Sequence, residues 1–294
     1  MTQHRMTDRT EPRLPQGGHG RDGEGREGMP GQHRERSNVF GEAADQYEAV
    51  RPGYPDELVT DVLADAGPGP ALEVGAGTGK ATVAFAAHDI DLTCLEPDAR
   101  MAGVLSRRVA DFPRVSVVGD RFETWPPDRG YGLLYSAQAW HWIDAERRTD
   151  LAYAALAPGG LLALYWNAFL VGDVALHAAL GEIDKRYWPG GEETAHAWRV
   201  EDYPVEFDTF GEEWDELALH GDTRFTDLRS RHYRWTLRYS AADYARFLAT
   251  TSLYRMLEPG DRTAALTAVT EAIDAGGGEI EITVDTSLAT ARRG

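Results

Sequence analysis

Short apolar runs alternate with longer stretches of mixed character along residues 71–167. Apolar runs of this kind, bounded by turn residues and separated by helix-length segments, are typical of buried strands in a parallel sheet. The first run begins at Ala71 and ends in an acid before a glycine-rich turn. Further strands are predicted at 91–95, 115–118, 132–136 and 161–167, with helices at 55–66 and 98–110. The pattern therefore predicts an α/β fold.

The pattern changes toward the C-terminus. Residues 231–237 and 279–286 alternate between apolar and polar positions, as expected for half-buried strands, and a helix is predicted over 241–257. Residues 171–221 contain three tryptophans and two runs of acids, and they are too long for a simple connection. We predict that they form a helical cap over the active site.

Residues 1–38 differ in composition from the rest of the chain. They contain four large apolar residues and no aromatic residue, so they cannot bury enough surface to offset the entropy lost on ordering. The predicted organisation is a disordered tail at 1–38, a core with an N-terminal lid at 39–170, the cap at 171–221 and the C-terminal part of the core sheet at 222–294.

The composition limits the classes of function. A chain of 294 residues that is 42% hydrophobic can bury one large core, and it has neither a membrane-spanning stretch nor a signal-peptide pattern. The single cysteine, Cys94, lies in a predicted strand and cannot form an internal disulfide, which suits a reducing cytoplasm. The net charge of −18 repels phosphate backbones and argues against nucleic acid as a substrate.

The most informative stretch is the turn that contains Gly75, Gly77 and Gly79. Glycines let the backbone approach a ligand closely, and the helix that follows offers unpaired N–H donors. The dinucleotide fingerprint G-x-G-x-x-G/A fails in both registers, because its last position is Lys80 or Thr82. The P-loop pattern also fails, because neither Ser nor Thr follows Lys80.

The remaining pattern, E-x-G-x-G-x-G from Glu73 to Gly79, resembles motif I of the class I S-adenosylmethionine (SAM) methyltransferases. A second acid, Glu96, follows the next strand, where a carboxylate can accept hydrogen bonds from both ribose hydroxyls. The resemblance implies a Rossmann-like, doubly wound fold with a seven-stranded sheet, methyltransferase activity and SAM as the cofactor. It covers about residues 39–294 and is specific in 39–167.

The resemblance also implies which residues bind SAM. Tyr47 and Arg51 share a helical face in the expected lid. Tyr47 would close the pocket over the sulfur, and Arg51 would bind the methionine carboxylate. A surface salt bridge is the alternative for Arg51. The loop after the third strand is expected to hold the adenine. The expected cofactor-binding residues are Tyr47, Arg51, Glu73, Gly75, Ala76, Gly77, Gly79, Glu96, Pro97, Asp120, Arg121, Phe122, Ser136 and Gln138.

The loop from Gln138 to Trp142 follows the fourth strand and faces the expected position of the sulfonium. Methyl transfer requires alignment of a nucleophile and exclusion of water, and a base is needed only where the acceptor must first lose a proton. His141 is the candidate catalytic base, because imidazole titrates near neutral pH. The alternative is that His141 only shapes the loop.

Aromatic side chains are the candidates for binding the acceptor. Several of them could form a box for a planar molecule, although core packing would explain each one alone. The expected residues are Tyr54, Trp140, Trp142, Trp166, Trp188, Trp198, Tyr233, Trp235 and Tyr254. The nine histidines are scattered, so no metal site and no metal-dependent methylation are expected.

Three functions are compatible with these features. The first is a methyltransferase that acts on a small molecule, such as a secondary metabolite, at O, N or C. The second is a SAM-binding enzyme of the same fold that catalyses another step, such as a cyclisation, and the third is a non-catalytic SAM-binding regulator. We expect a small-molecule substrate, no nucleic-acid or membrane partner, and a monomer or homodimer.

Overall fold

The computed structural model describes residues 44–188, 196, 199–201, 219 and 221–294. The tail predicted at 1–38 lies outside these residues, and so do the first part of the lid and most of the cap after residue 188, including Trp198. In the part of the chain that is described, no helix combines the length and the apolar character needed to cross a membrane.

A single mixed sheet forms the centre of the described structure. Its strands are β1 (Ala71–Val74), β2 (Leu92–Leu95), β3 (Val115–Val118), β4 (Tyr131–Ala137), β5 (Leu156–Val171), β6 (Phe225–Ser240) and β7 (Glu279–Arg293). They lie in the order β3-β2-β1-β4-β5-β7-β6, and β7 is antiparallel to both of its neighbours. The predicted Rossmann-like, seven-stranded α/β fold is confirmed.

Helices pack on both faces of this sheet and at its C-terminal end. They are α1 (Ala44–Val50), α2 (Asp56–Asp65), α3 (Lys80–Ala86), α4 (Ala99–Arg108), α5 (Arg148–Ala155), α6 (Val174–Tyr187), α7 (Ala241–Leu248), α8 (Ser252–Arg255) and α9 (Pro259–Ala275), with a 3₁₀ turn at Trp140–Trp142. The predicted helices at 55–66 and 98–110 are confirmed as α2 and α4. Asp98 caps α4 by accepting the N–H groups of Arg100 and Met101.

Two sequence-based predictions of secondary structure are wrong in extent. The helix predicted over 241–257 is broken after Leu248, where the hydroxyls of Thr250 and Thr251 donate to backbone carbonyls and Thr251 caps the next helix. Strands β5, β6 and β7 are all longer than predicted, because ladder pairing continues beyond the residues with an apolar pattern. The residues around Gly159, which has a positive φ, lie in an irregularity of the β4–β5 ladder.

Alternating residues of the strands supply separate cores on the two faces of the sheet. On β5, Leu162 packs with Trp140 on one face, and Leu161 belongs to the core with Phe85 on the other. In a third cluster, α6, α7 and α9 pack against the N-terminal half of β7. The cofactor of a sheet in this order lies at the carboxyl ends of the strands where the order reverses, beside β1 and β4.

A buried carboxylate ties the described part of the cap segment to the third cluster. Asp184 on α6 accepts the backbone N–H of His196 at 2.9 Å and contacts its ring, and the other ring nitrogen lies 3.0 Å from the Tyr244 hydroxyl. All three side chains are almost fully buried. The described part of 171–221 thus contains a helix anchored on α7, and its role as a cap over the active site stays a prediction.

Candidate functional site

The glycine turn between β1 and α3 is held in a conformation that favours glycine. Gly75, Gly77 and Gly79 have φ angles of 73°, 58° and 90°. A Cβ on Gly75 would lie 2.4 Å from the Cβ of Ala139, whereas a Cβ on Gly77 would meet no atom within 4 Å. The turn is therefore packed tightly against the loop after β4, and at Gly77 it borders open space.

Glu96, at the end of β2, holds this turn from the side. One carboxylate oxygen accepts the N–H of Gly77 at 2.7 Å, and the other accepts the N–H of Asp98 at 2.8 Å. Burial raises the pKa of Glu96, and the two backbone donors partly oppose that shift. Each carboxylate oxygen can accept a further hydrogen bond, so Glu96 retains capacity for the hydroxyls of a ligand.

A cavity of about 1040 Å³, open to solvent, lies over the carboxyl ends of β1, β2 and β4. Most of the residues expected to bind the cofactor line this cavity. Trp142, which was expected to bind the acceptor, lines it too. These are Tyr47, Gly75, Gly77, Glu96, Pro97, Asp120, Arg121, Phe122, Gln138 and Trp142. The apolar wall formed by Met101 and Ile143 was missed, because in the sequence these residues are indistinguishable from core residues.

Four residues predicted to contact the cofactor line neither this cavity nor the smaller one beside it: Glu73, Ala76, Gly79 and Ser136. Ser136 donates to the carbonyl of Val74 at 2.9 Å. Glu73 is 1% exposed and accepts hydrogen bonds from Thr82 at 2.6 Å and Tyr135 at 3.0 Å. Burial raises the pKa of Glu73 to about 7. These residues lie within the protein at or beside the glycine turn, and their role as contact residues stays a prediction.

A second, smaller cavity of about 250 Å³ adjoins the first and shares Tyr47 and Gln138 with it. Its lining residues are Tyr47, Arg51, Pro52, Tyr54, Lys80, Gln138, Asn167 and Phe169. Arg51 donates to the hydroxyl of Thr250 at 2.9 Å and to its carbonyl at 3.3 Å, and its guanidinium lies over the rings of Tyr47 and Phe247. These partners are all neutral, so the charge of Arg51 remains available to an anion.

Glu48 fastens α1 to the glycine turn. Its carboxylate lies 2.9 Å from Lys80 and 3.1 Å from Arg108, and it accepts the hydroxyl proton of Thr78 at 2.7 Å. Lys80 also donates to the Glu48 carbonyl at 2.6 Å. This contact could not be predicted from the sequence, since Lys80 and Glu48 are 32 positions apart and give no local signal.

Gln138 stands where the two cavities meet, in a left-handed backbone conformation with φ of 58°. Its N–H donates to the carbonyl of Tyr165 at 2.9 Å, and its side-chain nitrogen donates to the carbonyl of Asn167 at 3.4 Å. A non-glycine residue in this region stores backbone strain, and such strain is concentrated at functional sites.

The three residues of the 3₁₀ turn have different surroundings. Trp140 is 0% exposed in the core, so its expected place on the acceptor wall is corrected. Trp142 lines the large cavity, and the His141 ring packs 4.6 Å from its ring. His141 lines neither cavity. The geometry thus gives no direct support to His141 as a catalytic base.

The predicted aromatic box does not form among the described residues. Trp188 and the fully buried Tyr254 pack edge to face in the third cluster, while Trp166 packs on the opposite face of the sheet. Trp235 donates to the hydroxyl of Thr286, and Tyr233 donates to Asp61. Tyr54 does line the small cavity, where it packs edge to face on Tyr165.

Residues 71–160 match a family model described as "Methyltransferase domain". The uncharacterized methyltransferase Rv3342 of Mycobacterium tuberculosis is 37% identical over 134 residues, which are 46% of this chain and 54% of the relative. The uncharacterized methyltransferase C25B8.09 of Schizosaccharomyces pombe is 31% identical over 126 residues, covering 41% of this chain and 49% of the relative. This chain therefore spans about half the length of the curated relatives it matches.

The fold has a solved counterpart. A structure from Anaeromyxobacter dehalogenans, proposed to be a type II methyltransferase, superposes with a TM-score of 0.59 at 20% identity. The match covers 82% of this chain and 97% of the other. At this level of identity the likeness shows the fold alone.

Proposed function

We propose that this chain is a class I methyltransferase that transfers the methyl group of SAM to a small-molecule acceptor. The match of residues 71–160 to a methyltransferase-domain model supports this proposal. The observation that carries the proposal is the large cavity at the strand ends, where the glycine turn, Glu96 and the loop after β3 meet. A doubly wound sheet binds its ligand in this crevice.

The lining residues fit SAM. The space that a side chain on Gly77 would enter is open, and a backbone without a Cβ allows a ligand to lie against the turn. Glu96 would accept hydrogen bonds from the ribose hydroxyls, and Asp120, Arg121 and Phe122 would hold the adenine. When bound, SAM supplies a methyl carbon to which the acceptor's lone pair bonds as the C–S bond electrons pass to sulfur, leaving S-adenosylhomocysteine (SAH).

The amino-acid end of SAM would reach the small cavity. Lys80 is already paired with Glu48, whereas the described partners of Arg51 are uncharged. Arg51 is therefore the residue that we propose for the methionine carboxylate, with Tyr47 beside it where the two cavities join.

Catalysis would rest on alignment and exclusion of water. His141 is on neither cavity wall, and the loop after β4 instead brings Gln138 and Trp142 to the cavities. Holding a nucleophile in line with an activated methyl group can itself supply a large part of the rate enhancement. In this mechanism His141 stabilises the loop, and the acceptor's proton leaves to solvent.

Calorimetry with SAM and SAH tests the binding part of the proposal. Incubation with isotopically labelled SAM and a pool of small metabolites, followed by mass spectrometry, tests the transfer. A product heavier by one methyl group, with release of SAH, supports a methyltransferase. A product without added methyl would indicate another reaction, and tight SAM binding without turnover would indicate a regulator.

A further inference from the structure

We infer that the side-chain oxygen of Gln138 selects the acceptor, by accepting a hydrogen bond from an N–H or O–H group on the nucleophilic atom. The inference rests on the proposed function, because it concerns the point at which the methyl group is transferred. It names a chemical class for the acceptor, protic nucleophiles.

Gln138 occupies the junction between the two cavities. It shares this position with Tyr47 from the lid. The backbone of Gln138 is fixed by its hydrogen bond to Tyr165, and the next residue, Ala139, is packed against the glycine turn at Gly75. The side chain therefore starts from a rigid point beside the space where the cofactor and the acceptor meet.

The orientation of the Gln138 amide follows from its partner. The Asn167 carbonyl can only accept a hydrogen bond, so the nitrogen Nε2 must face it. The oxygen Oε1 lies on the other branch of the amide, and the described residues place no donor on it. An acceptor molecule in the cavity can donate a hydrogen bond to this oxygen, because Gln138 lines both cavities.

A second set of hydrogen bonds fixes the part of β5 that Gln138 contacts. The Trp235 indole can only donate, and it donates to the hydroxyl of Thr286 at 3.2 Å. The single hydroxyl proton of Thr286 then goes to the side-chain oxygen of Asn167 at 2.7 Å, and the Asn167 nitrogen donates to Gly53 at 3.3 Å. Thr286 and Asn167 are thus positioning residues for Gln138.

This arrangement discriminates between acceptors by whether the nucleophilic atom carries a proton. An amine or hydroxyl can donate its proton to Oε1 and keep a lone pair directed at the methyl carbon. An ionised carboxylate has no proton to donate, and its oxygen would face the lone pairs of Oε1. The site therefore favours amines and hydroxyl compounds over carboxylates.

Two SAM analogues test this without knowledge of the acceptor. Sinefungin carries a C–NH₂ group in the place of the S–CH₃ group of SAM, so its amine stands where the methyl group would be, whereas SAH has neither the methyl group nor the amine. The wild-type protein should bind sinefungin more tightly than SAH in calorimetry. In Gln138→Met, which keeps the length of the side chain, the ratio of the sinefungin affinity to the SAH affinity should fall by about tenfold or more.

Control variants separate recognition from damage to the loop. Thr286→Val should reduce the preference for sinefungin, whereas Thr286→Ser should keep it, because only the hydroxyl is needed. The inference is overturned if the ratio of sinefungin to SAH affinity is unchanged in both Gln138→Met and Thr286→Val. It is also overturned if the variants lose affinity equally for both ligands. If wild-type protein binds neither analogue, the proposed function itself fails.

Discussion

Lys80 lies 2.9 Å from the carboxylate of Glu48, and this ion pair joins the first described helix to the glycine turn. Both side chains are about four-fifths shielded from solvent, with 19% and 21% exposed. Thr78 and Arg108 share the same carboxylate. The helix that carries Tyr47 is therefore held over the cavity by a network of charges rather than by apolar contact alone.

Glu48→Gln should weaken this attachment and speed the dissociation of SAH severalfold. The neutral amide loses the charge attraction to Lys80, which we expect to be worth about 1 kcal/mol at this degree of exposure. Stopped-flow displacement of SAH measures the effect. Asp45→Asn is the matched control, because its ion pair with Arg107 lies on the same helix but is mostly exposed. Equal acceleration by both variants would contradict a specific role for Glu48.

Gly77→Val should abolish binding of SAM and SAH. The new side chain would occupy the open space beside the turn and would also strain a residue with φ of 58°. Gly159→Val provides the control, since Gly159 also has a positive φ and open space around it but lies at the other end of the sheet. Calorimetry should show loss of binding in Gly77→Val alone, with comparable decreases in melting temperature for the two variants.

Arg51→Gln should weaken SAH binding by about tenfold or more, because a charge-assisted pair with the methionine carboxylate is lost. Binding of 5′-methylthioadenosine, which lacks the amino-acid group, should not change. Titration of both ligands into both proteins measures this difference. If the variant loses affinity equally for both, Arg51 acts through the conformation of the lid and not through the carboxylate.

Glu73→Gln should alter how stability depends on pH. Burial raises the pKa of Glu73 to about 7 from an ordinary value of 4.5, so the folded protein holds this proton more tightly than the unfolded chain does. The free energy of unfolding contributed by Glu73 therefore falls as pH rises from about 4.5 to about 7, and it is constant above that.

The glutamine cannot titrate. The stability of Glu73→Gln relative to the wild type should thus rise by up to about 3 kcal/mol between about pH 5 and pH 8. Denaturant unfolding at several pH values measures this difference. A difference that does not vary with pH would show that Glu73 ionises as in the unfolded chain.

His141→Ala should reduce turnover by less than about tenfold and leave the shape of the pH–rate profile unchanged, once an acceptor is identified. The reason is that His141 lines neither cavity and packs on Trp142. A general base would instead contribute about 10² to 10⁴ in kcat. Loss of that magnitude, together with loss of the limb of the profile near neutral pH, would restore His141 to the catalytic role.

Features encoded by neighbouring residues could be predicted from the sequence. The apolar runs predicted the positions of the first five strands along the chain. The spacing of Gly75, Gly77 and Glu96 located the cavity, because these residues act through the backbone of one turn. Whether a given aromatic residue would lie in the core or on the cavity wall could not be predicted. Trp140 and Trp142 are two positions apart, yet one is buried in the core and the other lines the cavity. That outcome depends on packing against distant elements.

Asn167 illustrates the same limit. It ends a predicted strand as an ordinary polar residue, and its importance emerges only when β7 brings Thr286 beside it, 119 positions further along the chain. The fold class was still predicted correctly, because the sheet follows from the local pattern of apolar and polar residues. The site depends on contacts between residues that are distant in the sequence.

The place of β7 between β5 and β6 has a consequence for synthesis. Strand β6 leaves the ribosome well before β7, but its ladder in the sheet is with β7. It must therefore wait, unpaired, until Glu279–Arg293 has emerged and inserted between the two earlier strands. The nascent chain up to β5 can assemble its parallel strands beforehand, while a long strand with aromatic residues remains exposed to chaperones and to other chains.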